Sequence, residues 1–249
     1  MKKKNFLLTI LVIVLVVILG WLMLGYYQKS VENFKNPIVT MEVENYGTIK
    51  MELYPDVAPN TVSNFIKLIN EGYYNGVTYH RVIPDVLIQG GSSDGTSSSS
   101  TDFAINGEFA ANGYTKNNLK HVEGTVSMAR ADYSTLDSSL TEEGYNSAGT
   151  QFFICLANSS GYDGLYAGFG KVIEGLDVVK AISNTERTES ESGTKSETPV
   201  EKPVIKSMTV ETFGVKYDEP ERHKPFDYNS YIMQRYYSNY NTNSIIIPE

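Results

Sequence analysis

Almost every position from Phe6 to Gly25 is apolar, directly after the basic tip Met1-Lys2-Lys3-Lys4. At about 1.5 Å per residue, a helix of that length covers roughly 30 Å, the hydrocarbon thickness of a bilayer. Beyond the polar stretch 28–36 the pattern switches to period two. Ile38–Val43 and Gly47–Leu53 alternate apolar and polar residues, as half-buried strands do, and Glu44-Asn45-Tyr46-Gly47 between them reads as a hairpin turn. Val62, Phe65, Ile66 and Ile69 then fall at helical spacing, after Pro55 and Pro59 and before Gly72. Further strand-like pieces are Thr78–Ile83, Val86–Gln89, Gly124–Met128, Gln151–Leu156, Gly168–Val172 and Val204–Phe213, with a short helix at Leu176–Ile182. Many short strands with two helices predict an all-β closed barrel, whose closure leaves no exposed edge.

The remaining segments read as loops or tails. Ser92–Ser100 is Ser-rich, 132–149 is polar and irregular, and 184–198, rich in Ser, Thr and Glu, is predicted to be mobile. The expected organisation is a cytoplasmic tip and anchor at 1–27, a linker at 28–36, a barrel domain at 37–214 and a Tyr/Asn-rich tail at 215–249. The tail either packs across the barrel or stays disordered.

The anchor competes with a cleaved signal peptide, whose apolar region is about 7–15 residues and ends in a small-x-small site. Here the run ends Gly20-Trp21-Leu22-Met23-Leu24-Gly25-Tyr26-Tyr27, and Trp21, Tyr26 and Tyr27 suit an interfacial aromatic belt. No cysteine stands near its end, which excludes lipoprotein processing. Three lysines before the span place the N-terminus in the cytoplasm, so the expected state is single-pass in the cell membrane through residues 6–25, with the main domain extracytoplasmic.

A net charge of −8 argues against nucleic acid as a partner, because phosphate binding needs a basic face. The single cysteine, Cys155, permits no intramolecular disulfide; inside Phe152-Phe153-Ile154-Cys155-Leu156 it reads as a small buried hydrophobe. His80, His121 and His223 are too scattered to form a metal site by spacing, and nothing calls for a cofactor.

Several motifs stand in a telling order: Tyr79-His80-Arg81-Val82-Ile83-Pro84, Gln89-Gly90-Gly91, Leu119-Lys120-His121, Gly124-Thr125-Val126-Ser127-Met128-Ala129, Gln151-Phe152-Phe153-Ile154 and Phe169-Gly170-Lys171-Val172. Over residues 37–213 the chain resembles the cyclophilin family of peptidyl-prolyl cis-trans isomerases, in a bacterial-like form. The resemblance implies an eight-stranded antiparallel barrel capped by two helices, with a proline groove on its outer face. It implies that Arg81 donates to the prolyl nitrogen as the amide twists and that Gln89 binds the substrate backbone and steadies Arg81. It makes Phe153 the floor of the proline pocket and Leu87 its wall, and it has Ala129, Arg130 and Ala131 hold the peptide through backbone groups. Gln151, Val86, Tyr162 and Tyr166 complete the groove. Taken alone, Arg81 would read as a surface ion pair, Gln89 as a turn residue, and Leu87 and Phe153 as core. Strand alternation puts Gln151 and Phe153 on one face and Phe152 and Ile154 on the other, and His80, facing away from Arg81, reads as structural.

The chain also departs from the family. Val86 stands where phenylalanine is common, which widens the pocket. Arg130 replaces the usual asparagine, and its charge points to a preference for acidic substrates. Gly161-Tyr162 occupies the region of the groove tryptophan of eukaryotic members, so cyclosporin-like macrocycles are expected to bind weakly. Tyr166 replaces a frequent histidine, and the 132–149 loop is long. The leading expectation is an anchored isomerase acting on proline-containing segments of exported proteins. A low-turnover proline-peptide-binding chaperone or scaffold module is the alternative, and a third reading makes the tail a docking element for a surface partner.

Overall fold

The computed structural model describes residue 10 and residues 12–25, 35–98, 101–189 and 193–243. Residues 1–36 and 37–249 form two separate units. In the first, residues 12–25 are helical with exposed apolar side chains. Among the described residues no helix is long and apolar enough to cross a membrane. The expected span over 6–25 falls partly on Phe6–Thr9 and Leu11, which lie outside the described residues, as does most of the linker.

The second unit is built on one eight-stranded antiparallel sheet. Its strands are β1 (Ile38–Val43), β2 (Gly47–Leu53), β3 (Thr78–Ile83), β4 (Leu87–Ser92), β5 (Thr125–Met128), β6 (Phe152–Cys155), β7 (Gly168–Glu174) and β10 (Ile205–Glu211). They lie in the order β10-β1-β2-β7-β5-β6-β4-β3. The alternation of β1 and β2 sends Val39, Met41, Val43, Ile49, Met51 and Leu53 inward. Helix α1 (Pro59–Asn70) buries Val62, Phe65, Ile66 and Ile69 as its period predicts. Phe65 meets Tyr74, Phe152 and Phe169 with ring centroids 5.0, 5.4 and 5.0 Å away, so this ring ties α1 to the sheet. The free N–H groups of its first turn are taken by the Glu108 carboxylate, 3.0 Å from Asn60 N and 2.8 Å from Thr61 N. Helix α3 (Leu176–Ser183) covers a second region of the sheet.

The closed barrel is a correction in part. The sheet curls, but its edge strands β3 and β10 share no ladder. One isolated bridge, Thr78 with Val204, and the bonds Tyr79 N to Pro203 O and Ile205 N to Val77 O, each 2.8 Å, link the two edges. The segment predicted to be mobile is a second correction. Residues on either side of 190–192, which lie outside the described residues, form a hairpin of β8 (Arg187–Glu189) and β9 (Lys195–Pro199) that packs on β3. The two strands pair with each other in a sheet of their own, which needs no apolar period in the sequence.

The described part of the tail packs along α1, with Tyr217 against the main core. Asn60 and Glu221 exchange hydrogen bonds of 3.0 and 2.7 Å, and Arg222 Nε donates to Asn64 Oδ1 at 2.9 Å while its guanidinium lies over the Phe103 ring. The chain then reaches the long loop, whose middle is helix α2 (Thr141–Tyr145). Tyr228 stacks on Tyr133 at 5.3 Å, and Tyr231 and Arg235 of helix α4 (Tyr228–Asn243) bond the Asp137 carboxylate. The terminal Ile245-Ile246-Ile247 lies outside the described residues.

Candidate active site

The ladder register builds the site before any side chain is considered. Arg81 pairs with Gln89, Gln89 with Phe153, and Phe153 with Ser127, one continuous row across β3, β4, β6 and β5. Cross-strand partners share a face, so the row puts a cation, an amide and an aromatic ring side by side. The next row, Val82, Ile88, Ile154 and Val126, points the opposite way into the main core. The expected split of Phe153 from Phe152 and Ile154 is therefore observed.

On the outer face, Leu87, Phe153 and Cys155 form a separate apolar cluster with Ile83, Val86, Ala129, Tyr162 and Tyr166 packed around it. The Tyr162 and Tyr166 rings stand edge-on to Phe153 at 5.7 and 5.6 Å. Burial pushes the Cys155 thiol up to about 12, so it stays protonated and serves as packing.

Beside this cluster runs a polar chain. Arg81 Nη1 donates to Gln89 Oε1 at 3.0 Å, Gln89 Nε2 to Gln151 Oε1 at 3.0 Å, and Gln151 Nε2 to Ser97 O at 3.3 Å. The chain runs in one direction, each amide accepting at one end and donating at the other, so each link fixes the next. At its far end Arg81 Nε donates to Glu197 Oε2 on β9, a partner the sequence did not announce. Beyond Gln151 opens a chamber of about 720 Å³ lined by Gln89, Ala129, Arg130, Tyr133, Phe226 and Tyr228, among others.

The Arg130 side chain is held in place by its neighbours. Its guanidinium lies 4.5 Å from the Tyr166 ring centroid and 4.9 Å from that of Tyr145, and it donates to the carbonyls of Leu165 and Ala131, both at 3.0 Å. A cation held by two rings and two carbonyls braces the pocket wall. The backbone N–H groups of Ala129 and Ala131 are also taken, by Gln151 O at 2.9 Å and Ser147 Oγ at 2.8 Å.

Two histidines underlie the site. His121 is buried between Asp163 Oδ1 at 3.2 Å and Ser127 Oγ at 3.1 Å, and it stacks beneath Phe153 at 6.1 Å. Burial lowers its pKa despite Asp163, so it is a neutral brace for the pocket floor. Only its place in Leu119-Lys120-His121 hinted at this. His80 occupies a bulge of β3 between Tyr79 and Arg81 and is buried. Neither ring nitrogen reaches a partner in hydrogen-bond geometry. Burial first, then the cations of Lys202 and Arg81, lower its pKa to about 4; Asp94 and the neighbouring Gln151 amide oppose this only weakly.

A pH dependence follows from His80. Its native pKa lies below the unfolded value of about 6.5, so the unfolded state binds the proton first. Its contribution is whole above about pH 6.5 and falls as pH drops toward the native value near 4. The full shift corresponds to about 3 kcal/mol, and solvent screening near the surface brings the expected loss to about 1–2 kcal/mol. Chemical denaturation at pH 7 and 4.5 should show this loss in the native chain and a smaller one in His80→Leu; equal losses would exclude His80 as the source.

The cyclophilin type peptidyl-prolyl cis-trans isomerase family model matches residues 38–210. Peptidyl-prolyl cis-trans isomerase B of Bacillus subtilis is 39% identical over 142 residues, which cover 57% of this chain and 87% of that one. A Helicobacter pylori peptidyl-prolyl cis-trans isomerase is 36% identical over 167 residues, covering 66% and 91%. Among solved structures, the fold is similar to a Cryptosporidium parvum cyclophilin type peptidyl-prolyl cis-trans isomerase, at a TM-score of 0.57 and 27% identity over 71% of this chain and 97% of that one. The same relative has been crystallised in the presence of the dipeptide Ala-Pro. A curled antiparallel sheet carrying this row of Arg81, Gln89 and Phe153, within a match that spans most of the chain, makes the protein a member of the cyclophilin-type peptidyl-prolyl cis-trans isomerases.

Proposed function

We propose that the chain isomerises X-Pro bonds in segments of exported proteins at the outer face of the cytoplasmic membrane, with Arg81 as the catalytic donor. The observation that carries the mechanism is the Arg81–Gln89–Gln151 chain alongside the Phe153 cluster. Rotation about the prolyl bond is opposed by about 18–20 kcal/mol of C–N double-bond character. As the bond twists, the nitrogen lone pair localises and can accept a hydrogen bond from a guanidinium. A donor held for the twisted state lowers the barrier without any nucleophile, metal or cofactor. The proline ring sits on Phe153 between Leu87, Val86, Tyr162 and Tyr166. Gln89 and the backbone of Arg130, between the engaged Ala129 and Ala131, hold the peptide; Gln151 fixes Gln89. Cyclosporin-like macrocycles bind weakly, since Val86 and Tyr162 offer less aromatic cover. The apolar run 6–25 supports the anchored, extracytoplasmic placement.

The test is isomerisation of a short X-Pro peptide by the full chain in detergent, with protease treatment of intact cells beside it. Clear acceleration over the uncatalysed tens to hundreds of seconds, and digestion of the domain from outside, are expected. Peptide binding without acceleration would favour the alternative, a low-turnover proline-peptide-binding chaperone or scaffold module. A domain protected in intact cells would remove the exported clients.

A further inference from the structure

The β8–β9 hairpin belongs to no part of the groove, yet it delivers a carboxylate to the groove's central cation. We propose that Glu197 is a positioning residue for Arg81: it clamps Nε so that the Nη2 end of the guanidinium is presented to the prolyl nitrogen. This rests on Arg81 being the catalytic donor.

Glu197 Oε2 lies 2.5 Å from Arg81 Nε, and Gln89 Oε1 lies 3.0 Å from Nη1. The two acceptors sit at different ends of a rigid planar fork, so together they fix its plane, which neither does alone. Nη2 makes no hydrogen bond among the described residues. The clamp and the substrate therefore use different nitrogens, and substrate need not displace Glu197.

Stability does not explain the pair. The Arg81 and Glu197 side chains are 33% and 49% exposed, and an ion pair that open adds little to a fold. The hairpin closes on itself without Glu197, through Val200 N to Glu186 O at 2.8 Å, Arg187 Nη1 to Ser196 O at 3.2 Å and Lys195 with Glu189 at 2.6 Å, and β9 packs on β3. What remains for Glu197 is orientation. A loosely held catalytic group loses rate rather than substrate affinity, because alignment matters most in the transition state.

The experiment measures kcat and KM on an X-Pro peptide for the full chain and its variants. Glu197→Ala is expected to lower kcat about tenfold with KM changed by less than about twofold. Glu197→Gln should recover part of the loss, since its amide oxygen still accepts from Nε. Lys195→Ala breaks only the hairpin's own ion pair and should match the native chain. Arg81→Ala with Glu197→Ala should be no slower than Arg81→Ala alone, because Glu197 acts through Arg81. Native-like kcat in Glu197→Ala, or the same loss in both backgrounds, overturns the proposal. If Arg81→Ala itself keeps the native rate, it is the catalytic reading that fails. The clamp is then judged by the Arg81 Nε–H nuclear magnetic resonance signal, expected to be sharp and slowly exchanging in the native chain and broadened in Glu197→Ala. An unchanged signal removes the clamp.

Discussion

Replacing Arg81 with alanine is expected to lower kcat/KM on an X-Pro peptide about 10²–10³-fold, the loss seen when a preorganised donor to a developing charge is removed. The fall should lie in kcat, since Phe153, Leu87 and the tyrosines still hold the proline ring. Arg81→Lys should recover little of it. Nε is engaged by Glu197 and Nη1 by Gln89, and the proposed mechanism gives the third nitrogen, Nη2, to the substrate. An ammonium is one point charge on a flexible stem and cannot occupy all three. The side chain is a third exposed and outside the main core, so both variants should fold as the native chain does. Arg81→Ala retaining more than about a third of the native rate would exclude the guanidinium as the catalytic donor, because removing even one such donor costs far more.

The parts of this fold legible in the sequence are those whose partner is water or the core. β1 and β2 have one wet and one dry face, so alternation marked them, and α1 carries its core stripe at helical spacing. Alternation also separated Phe153 from Phe152. The unread parts are those whose partner lies far along the chain. Lys195–Pro199 has no apolar period to declare a strand; pairing with β8 makes it one, and the hairpin then packs beside β3. The tail's residues name no target: Glu221 and Arg222 find Asn60 and Asn64, and Tyr228 and Tyr231 find Tyr133 and Asp137. Arg130 looked available as a free charge because sequence does not show that Tyr145 and Tyr166 flank it. For Arg81 the expected surface ion pair is present, with Glu197, while the same side chain also bonds Gln89 beside the Phe153 cluster.

The second large effect is expected at Gly91, where the motif Gln89-Gly90-Gly91 acquires a physical reason. Gly91 has φ +93°, and a Cβ there would lie 2.6 Å from Thr150 O and 3.1 Å from Gln151 Cα. Alanine at positive φ costs about 1–2 kcal/mol, and forcing an extra methyl into packed backbone about 1–3 kcal/mol more. Roughly 3 kcal/mol is a large share of a typical total of about 5–15 kcal/mol, and should lower Tm by about 6–12 °C. The obstructed atoms are backbone, so relief has to come from moving the Gly149–Gln151 segment. That segment is held by Asn64 Nδ2 to Gly149 O and Tyr74 Oη to Thr150 O, both 2.9 Å, and it carries the Gln151 side chain that fixes Gln89 at 3.0 Å. Gly91→Ala should therefore lose turnover along with stability, even assayed well below its Tm. Gly76→Ala isolates the backbone cost, since Gly76 has φ +85° with open space around its Cβ position. It should lose only about 1–2 kcal/mol and keep native turnover. Gly91→Ala behaving no worse than Gly76→Ala would mean that the close approach of β4 to the Thr150 backbone does not hold the site, and that Gln89 is positioned from Arg81 alone.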